Sequence, residues 1–197
     1  MSHSNISLRH LKAASFCASS EGTRYYINGV YVTAEARCST YVATDGQVLF
    51  ACRSELLDDE ADNTLLGSWI VPIANCVPFK FTPREYRPTA VLTGTDKSLN
   101  LAQGGRSITF EPVDGGFPDW RRIIPAEASG KSDGVTFDVA LLSRLAKAGA
   151  TLGLKHPNWT PNGVGPAPVH FGDSAYAFGF IMPIRSGHEF SRPDWSL

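Results

Sequence analysis

Apolar positions along the chain follow two alternating rhythms. In 6–18, Ile6, Leu8, Leu11, Ala14 and Ala18 recur near helical spacing behind Ser4 or Asn5 as an N-cap, which predicts an amphipathic helix. Segments 24–34, 38–45 and 46–53 are rich in β-branched and aromatic residues and punctuated by Gly22, Asp45 and Gly46; they predict three antiparallel strands. The order then recurs, with a short strand at 68–72, a weak proline-interrupted helix at 73–81 and strands at 89–94, 98–103 and 107–113. A third copy follows the connector 127–131: a strand at 134–138, a helix at 139–149 and strands at 151–156, 167–171 and 175–183. Each unit is β-α-β-β-β, and the fold class is α+β. In the last strand Tyr176, Phe178, Phe180 and Met182 alternate with Ala175, Ala177, Gly179 and Ile181, so its large-residue face packs on a core.

A single unit exposes sheet edges and an apolar helix face, so it must stack beside another unit. Three units leave one without a partner inside the chain. Residues 156–168, dense in Pro, Gly and Asn, are expected as a loop, and 187–197 as a flexible tail or, through Phe190, Trp195 and Leu197, a docking peptide.

With 43% hydrophobic and 19% charged residues among 197, the composition is that of an ordinary globular protein. The chain has neither a secretory-signal pattern at its start nor an apolar run of the roughly 18 residues a membrane helix needs, so the expectation is a cytoplasmic protein with no membrane partner. The net charge of −1 conceals an asymmetry: five of the 19 acids lie in 54–63, which holds no Lys or Arg, and the remainder is mildly basic. That segment reads as a solvated acidic loop. Cys17, Cys38, Cys52 and Cys76 sit apart among apolar neighbours, as buried reduced thiols do, and neither they nor the five histidines have metal-ligand spacing. No metal or other cofactor is expected. Nucleophile elbow, phosphate loop, zinc-protease helix and dinucleotide glycine set are all missing, which argues against an enzyme.

Three segments carry more information together than singly. They are Arg24-Tyr25-Tyr26-Ile27-Asn28-Gly29-Val30 followed by Ala43-Thr44-Asp45-Gly46; Val113 through Pro125, with Phe117-Pro118-Asp119-Trp120 at its centre; and Met182-Pro183-Ile184-Arg185. Alone, each is a turn, a chain reversal or a strand end. In this order and spacing they resemble the bacterial DNA sliding clamp, the beta subunit of DNA polymerase III. The resemblance covers one full clamp domain plus the second half of a final domain, and nothing here matches the first domain or the other half of the last. It implies a DNA-clamp fold with antiparallel sheets outside and helices lining a pore, divided into a complete domain at 1–125, a half domain at 126–186 and the tail. So short a version fits a phage- or plasmid-borne replication gene.

The resemblance also implies sites. Clamps hold short partner peptides in an apolar pocket, and the matching positions are Ile27, Gly29, Thr44, Gly46, Gln47, Val48, Leu49, Pro125, Phe180, Met182, Pro183, Ile184 and Arg185, with Leu49, Phe180 and Met182 as the main walls. The alternative is that these residues fill the seam between domains. Gln47-Val48 stands where the family has a basic pair, and Ile184 where it has a second methionine, which shifts the expected peptide preference. For nonspecific contact with duplex DNA, the helix pairs Arg9 and Lys12, and Arg144 and Lys147, each share a face at i,i+3, with Arg24, Tyr25, Tyr26 and Lys80 as further candidates; a solvated helix face is the plainer reading of each pair.

Known clamps are rings of about twelve such units, so three units per chain imply a ring of four chains, about 85 kDa, in which the unpaired unit completes a domain with its counterpart from a neighbour. The expected role is a processivity factor that tethers a DNA polymerase and is placed by a clamp loader. The alternatives are a clamp mimic that binds clamp-interaction peptides or a host clamp without encircling DNA, and a small enzyme on a clamp-like scaffold.

Overall fold

The computed structural model describes residues 2–58, 60–77, 79, 81–82, 85, 87–125 and 135–185. The first unit comprises β1 (Ser4–Ser7), α1 (Leu8–Ser15), β2 (Gly29–Ala34), β3 (Cys38–Thr44) and β4 (Val48–Glu55). The second has β5 (Gly67–Pro72), β6 (Thr89–Thr95), β7 (Ser98–Gln103) and β8 (Arg106–Phe110), and the third β9 (Val135–Thr136), α2 (Val139–Thr151), β10 (Pro157–Trp159), β11 (Ala167–Phe171) and β12 (Ala177–Ile181), followed by β13 (Ile184–Arg185).

Units one and two exchange their opening strands. β1 pairs with β6, giving a sheet ordered β1-β6-β7-β8, while β5 pairs with β2. The third unit then extends the other sheet, because β12 pairs antiparallel with β4 from Val48↔Ile181 to Cys52↔Ala177, giving β10-β11-β12-β4-β3-β2-β5. The main core fills the space between the sheets and under the helices, with Leu8, Leu11, Val32, Phe50, Leu92, Leu101, Leu145 and Phe171 almost wholly buried.

Four expectations from the pattern need correction. The helix expected over 6–18 is a strand and then a shorter helix: Ser4 and Ile6 are both buried at the two-residue spacing of a strand, and Ser7 ends it by accepting the His10 N–H as the cap of α1. The expected strand over 24–34 begins only at Gly29, since Gly22–Ile27 forms a 3-10 run. In the second unit the described residues hold only a 3-10 turn at Ile73–Asn75; Pro72, Pro78, Pro83 and Pro88 deprive this stretch of N–H donors an α-helix would use. The strand expected at 151–156 is instead the end of α2, which stops where Gly153, at φ 77°, lets the Leu152, Gly153 and Leu154 N–H groups turn back to the Gly149 and Ala150 carbonyls. The strand follows as β10, inside the segment read as loop. The tail 187–197 lies outside the described residues.

The helices sit close on the sheet. At Gly179 of β12 an added Cβ would fall 2.8 Å from the Leu49 carbonyl oxygen and 2.7 Å from Leu145 of α2. The acidic segment is drawn in by Arg37, whose guanidinium meets Asp62 at 2.6 Å and the Leu57 and Glu60 carbonyls, and by Arg87, 3.6 Å from Glu60. All four cysteines are free and buried, and burial pushes the Cys17 and Cys76 thiols up to about 12 and Cys38 up to about 11.

His10 lies beneath this framework, stacked on Tyr41 at 5.7 Å with Nδ1 2.7 Å from Ser7 Oγ. Desolvation, then the charges of Arg87 and Arg9, lower its pKa from 6.5 to about 4. Between those values the unfolded chain binds a proton that the folded protein does not. Stability contributed by neutral His10 is therefore full above pH 6.5 and lost as pH falls to about 4, on the order of 3 kcal/mol. Urea titrations across that range should show the decline, and His10→Phe, which keeps the ring but cannot titrate, should flatten it. Gly179→Ala should lower stability by about 1–3 kcal/mol through overpacking, read from the urea midpoint.

Candidate functional site

On the face of the long sheet away from the main core, a second apolar cluster covers the junction of units one and three. Val42, Leu49, Ala51, Trp120 and Phe180 are buried there, with Tyr31, Phe117 and Phe178 against them. Strand alternation aims Phe178 and Phe180 outward, and their rings meet edge to face at 5.8 Å. The segment after β8 is fastened over them by its aromatic residues: Phe117 stacks on Tyr31 at 4.9 Å, Trp120 lies 6.2 Å from Phe178, and Arg121 covers the Trp120 ring at 4.5 Å. Where that segment leaves the sheet, a cavity of about 480 Å³ opens, lined by Ile124 and Pro125 on one side and Thr160, Pro168, His170, Phe178 and Phe180 on the other.

Of the thirteen positions named for a peptide pocket, twelve fall into three groups. Ile27, Gly29, Val48, Leu49 and Phe180 are buried. Leu49 and Phe180 thus pack the seam rather than stand as open walls, although Phe180 also reaches the cavity with Pro125. Gly29 lies so close to Val71 of β5 that a side chain has no room. Gly46, Gln47, Met182 and Ile184 are exposed, and Thr44, Pro125 and Pro183 half-buried. The Arg185 backbone pairs with Val135.

These groups are joined by backbone. The Met182 N–H donates to the Gln47 carbonyl at 2.8 Å, and Asp45 Oδ1 accepts the Gln47 and Val48 N–H groups at 2.8 and 2.9 Å. Thr44 Oγ1 accepts the Gly46 N–H at 3.0 Å. The turn and the C-terminal strand end are therefore one surface. Sequence reading missed Ile124, Thr160, Pro168, His170 and Phe178 as cavity lining; for Phe178 the signal was its alternation with Phe180 in β12, while the loop residues carried none.

On the opposite face α1 and α2 lie against each other. Leu8, Leu11, Leu141 and Leu145 point into the core, Lys147 is exposed, and the Lys12 ammonium lies 5.2 Å over the Phe81 ring. Arg9 donates to the Glu85 carbonyl at 2.7 Å. Arg144 corrects the expectation of two equivalent cation pairs: it is turned inward, paired with Asp45 and donating to the Phe16 and Ala18 carbonyls at 2.7 and 3.0 Å. A guanidinium satisfied on three sides holds α2 to α1 and to the 44–46 turn. Arg24 is paired with Glu21 at 2.8 Å beside Gly46, while Tyr25, 55% exposed, and Tyr26 stack edge to face beside Gly115. Lys80 lies outside the described residues.

Comparison with known proteins agrees with this geometry. No protein-family model matches the chain. The beta sliding clamp of Haemophilus influenzae is 29% identical over 126 residues, 64% of this chain and 33% of the relative, and that of Caulobacter vibrioides 30% over 129 residues, 62% and 33%. The chain is similar in sequence to the bacterial beta sliding clamps. Its fold is the clamp fold: the DNA polymerase III subunit beta of Pseudomonas aeruginosa superposes with a TM-score of 0.71 at 18% identity, over 93% of this chain and 66% of that one. A DnaN sliding clamp from Bartonella birtlesii, solved with griselimycin bound, gives 0.69 at 19% identity over the same shares. The chain spans about a third of the length of the curated clamps it matches. No described helix is long and apolar enough to cross a membrane.

The inward turn of Arg144 separates two roles. Arg144→Ala should cost about 2–4 kcal/mol, because it leaves Asp45 without its cation, whereas Lys147→Ala should change stability by less than about 0.5 kcal/mol. Urea denaturation of the two variants reads the difference.

Proposed function

We propose that the protein is a processivity clamp: it encircles duplex DNA without reading sequence and tethers a replicative polymerase through the apolar surface at the junction of units one and three. The observation that carries this reading is the placement of that surface. In a relative of the sliding clamps, residues that resemble the pocket motif, Leu49 and Phe180 among them, meet where β4 pairs with β12, beside a cavity floored by Phe178 and Phe180 and rimmed by Ile124 and Pro125. A cavity of about 480 Å³ takes one or two large apolar side chains of a peptide, each worth roughly 1.5–3 kcal/mol on burial.

The opposite face fits the second half of the role. Lys12 and Lys147 stand on helices that pack side by side, where cations meet phosphates loosely enough to slide. The protein acts by holding and carries out no chemistry of its own. Residues 1–125 form the complete clamp domain and 126–186 the half domain, four chains make the ring, a clamp loader opens it, and the site of action is the cytoplasm where DNA is replicated.

The test has two arms. The protein, loaded on nicked circular DNA, should be retained during gel filtration and lost when the circle is linearised. A polymerase-derived peptide with apolar anchors should bind, and Ile124→Glu, on an exposed rim residue, should weaken it at least tenfold without changing the melting temperature. Peptide binding with no topological retention would favour the clamp mimic, and loss of both would sink the clamp reading.

A further inference from the structure

The pairing scheme of the first two units leaves the third with an unmatched half. In units one and two the opening strand of each lies on the second strand of the other, β5 on β2 and β1 on β6. The chain leaving β8 then touches the far side of β5, where the Val113 N–H donates to the Ile70 carbonyl at 2.9 Å. The third unit repeats the second part of this scheme: the chain leaving β12 returns as β13 and pairs with β9, Ile184↔Thr136 and Arg185↔Val135. It lacks the first part. Among the described residues no strand lies on the outer edge of β10, and β9 has no second-strand partner of the kind that β5 finds in β2.

The side chains beside these edges are apolar. A groove of about 240 Å³ runs between α2 and β10, lined by Val139, Leu142, Ala146, Pro157, Trp159 and neighbouring core residues. Val139 is 77% exposed and Trp159 43%. Solvent contact of this kind is costly for a tryptophan and a valine that open a helix and close a strand on one surface.

We infer that a second copy of this chain covers that surface, each copy laying its β9 on the β10 edge of the other and its Val139 and Trp159 in the shared groove. The occupant is a second copy because unit three carries both halves of the exchange, a donor strand and a receiving edge, which makes the surface self-complementary about a two-fold axis. The same geometry is built within the chain by units one and two, so it needs no new kind of contact. This inference deepens the four-chain ring proposed above and to that extent rests on it, giving the ring one of its two kinds of joint. The other is then left to the free edge of β8.

Light scattering on a sizing column at micromolar concentration tests it, using the full chain and the single variants Val139→Arg and Trp159→Arg. Wild type should run as a multiple of 21.3 kDa, and each variant should halve that mass. Because both side chains already meet water in the isolated chain, the variants should keep the wild-type circular dichroism and melting of the monomer fold. A wild type that runs as a monomer, or a mass unchanged in both variants, overturns the inference. A halved mass upholds it whether or not the wild type is retained on circular DNA, so the failure of this joint and the failure of the clamp reading are told apart.

Discussion

The ladder between β4 and β12 is the constraint on which the rest of the molecule depends. Five paired positions join residues more than 120 apart in sequence into one continuous sheet. That pairing lays Phe180 opposite Leu49 and so creates the outer aromatic cluster, and on the other face it brings α2 against α1. It also sets Arg144 within reach of Asp45 and the end of α1. The outer aromatic surface and the helix-facing surface are thus two sides of one hydrogen-bonded seam, and neither has a shape apart from it.

Much of the fold was legible because its signals are local. The β-branched and aromatic content of β3 and β4 and the large-small alternation in β12 read directly from the chain, as does the helix that Asp138 caps. The parts that were not legible depend on distant partners. Ile6 fits a helix by spacing, and only the edge of β6 makes it part of a strand. Arg144 has the exposed-face spacing of a cation at i,i+3 from Lys147, yet carbonyls of α1 and the Asp45 carboxylate draw it inward. At the site, the motifs led to residues that the fold brings together, but not to their relief: Leu49 and Phe180 are covered by Trp120, whose position over the sheet depends on the Phe117–Tyr31 stack and leaves no trace in local pattern.

Charge is distributed to match. At the surface, Arg37 and Arg87 pair with Asp62 and Glu60 of the acidic 54–63 segment, which offsets part of its negative charge. Among the described residues the helix face presents Arg9, Lys12 and Lys147, while Arg144 is turned to the interior. What remains there is a sparse positive surface, which is compatible with movement along a polyanion; a dense one would bind and stop.

The cysteines give the protein a practical property. With Cys17, Cys52 and Cys76 sealed in the core and Cys38 covered beside Glu35, burial holds all four thiols protonated and offers none of them readily to the outside. A fluorophore or spin label attached through one cysteine introduced at an exposed position, such as Gln47, therefore reports from that place alone, without first stripping the chain of its own sulfur and disturbing the packing around it.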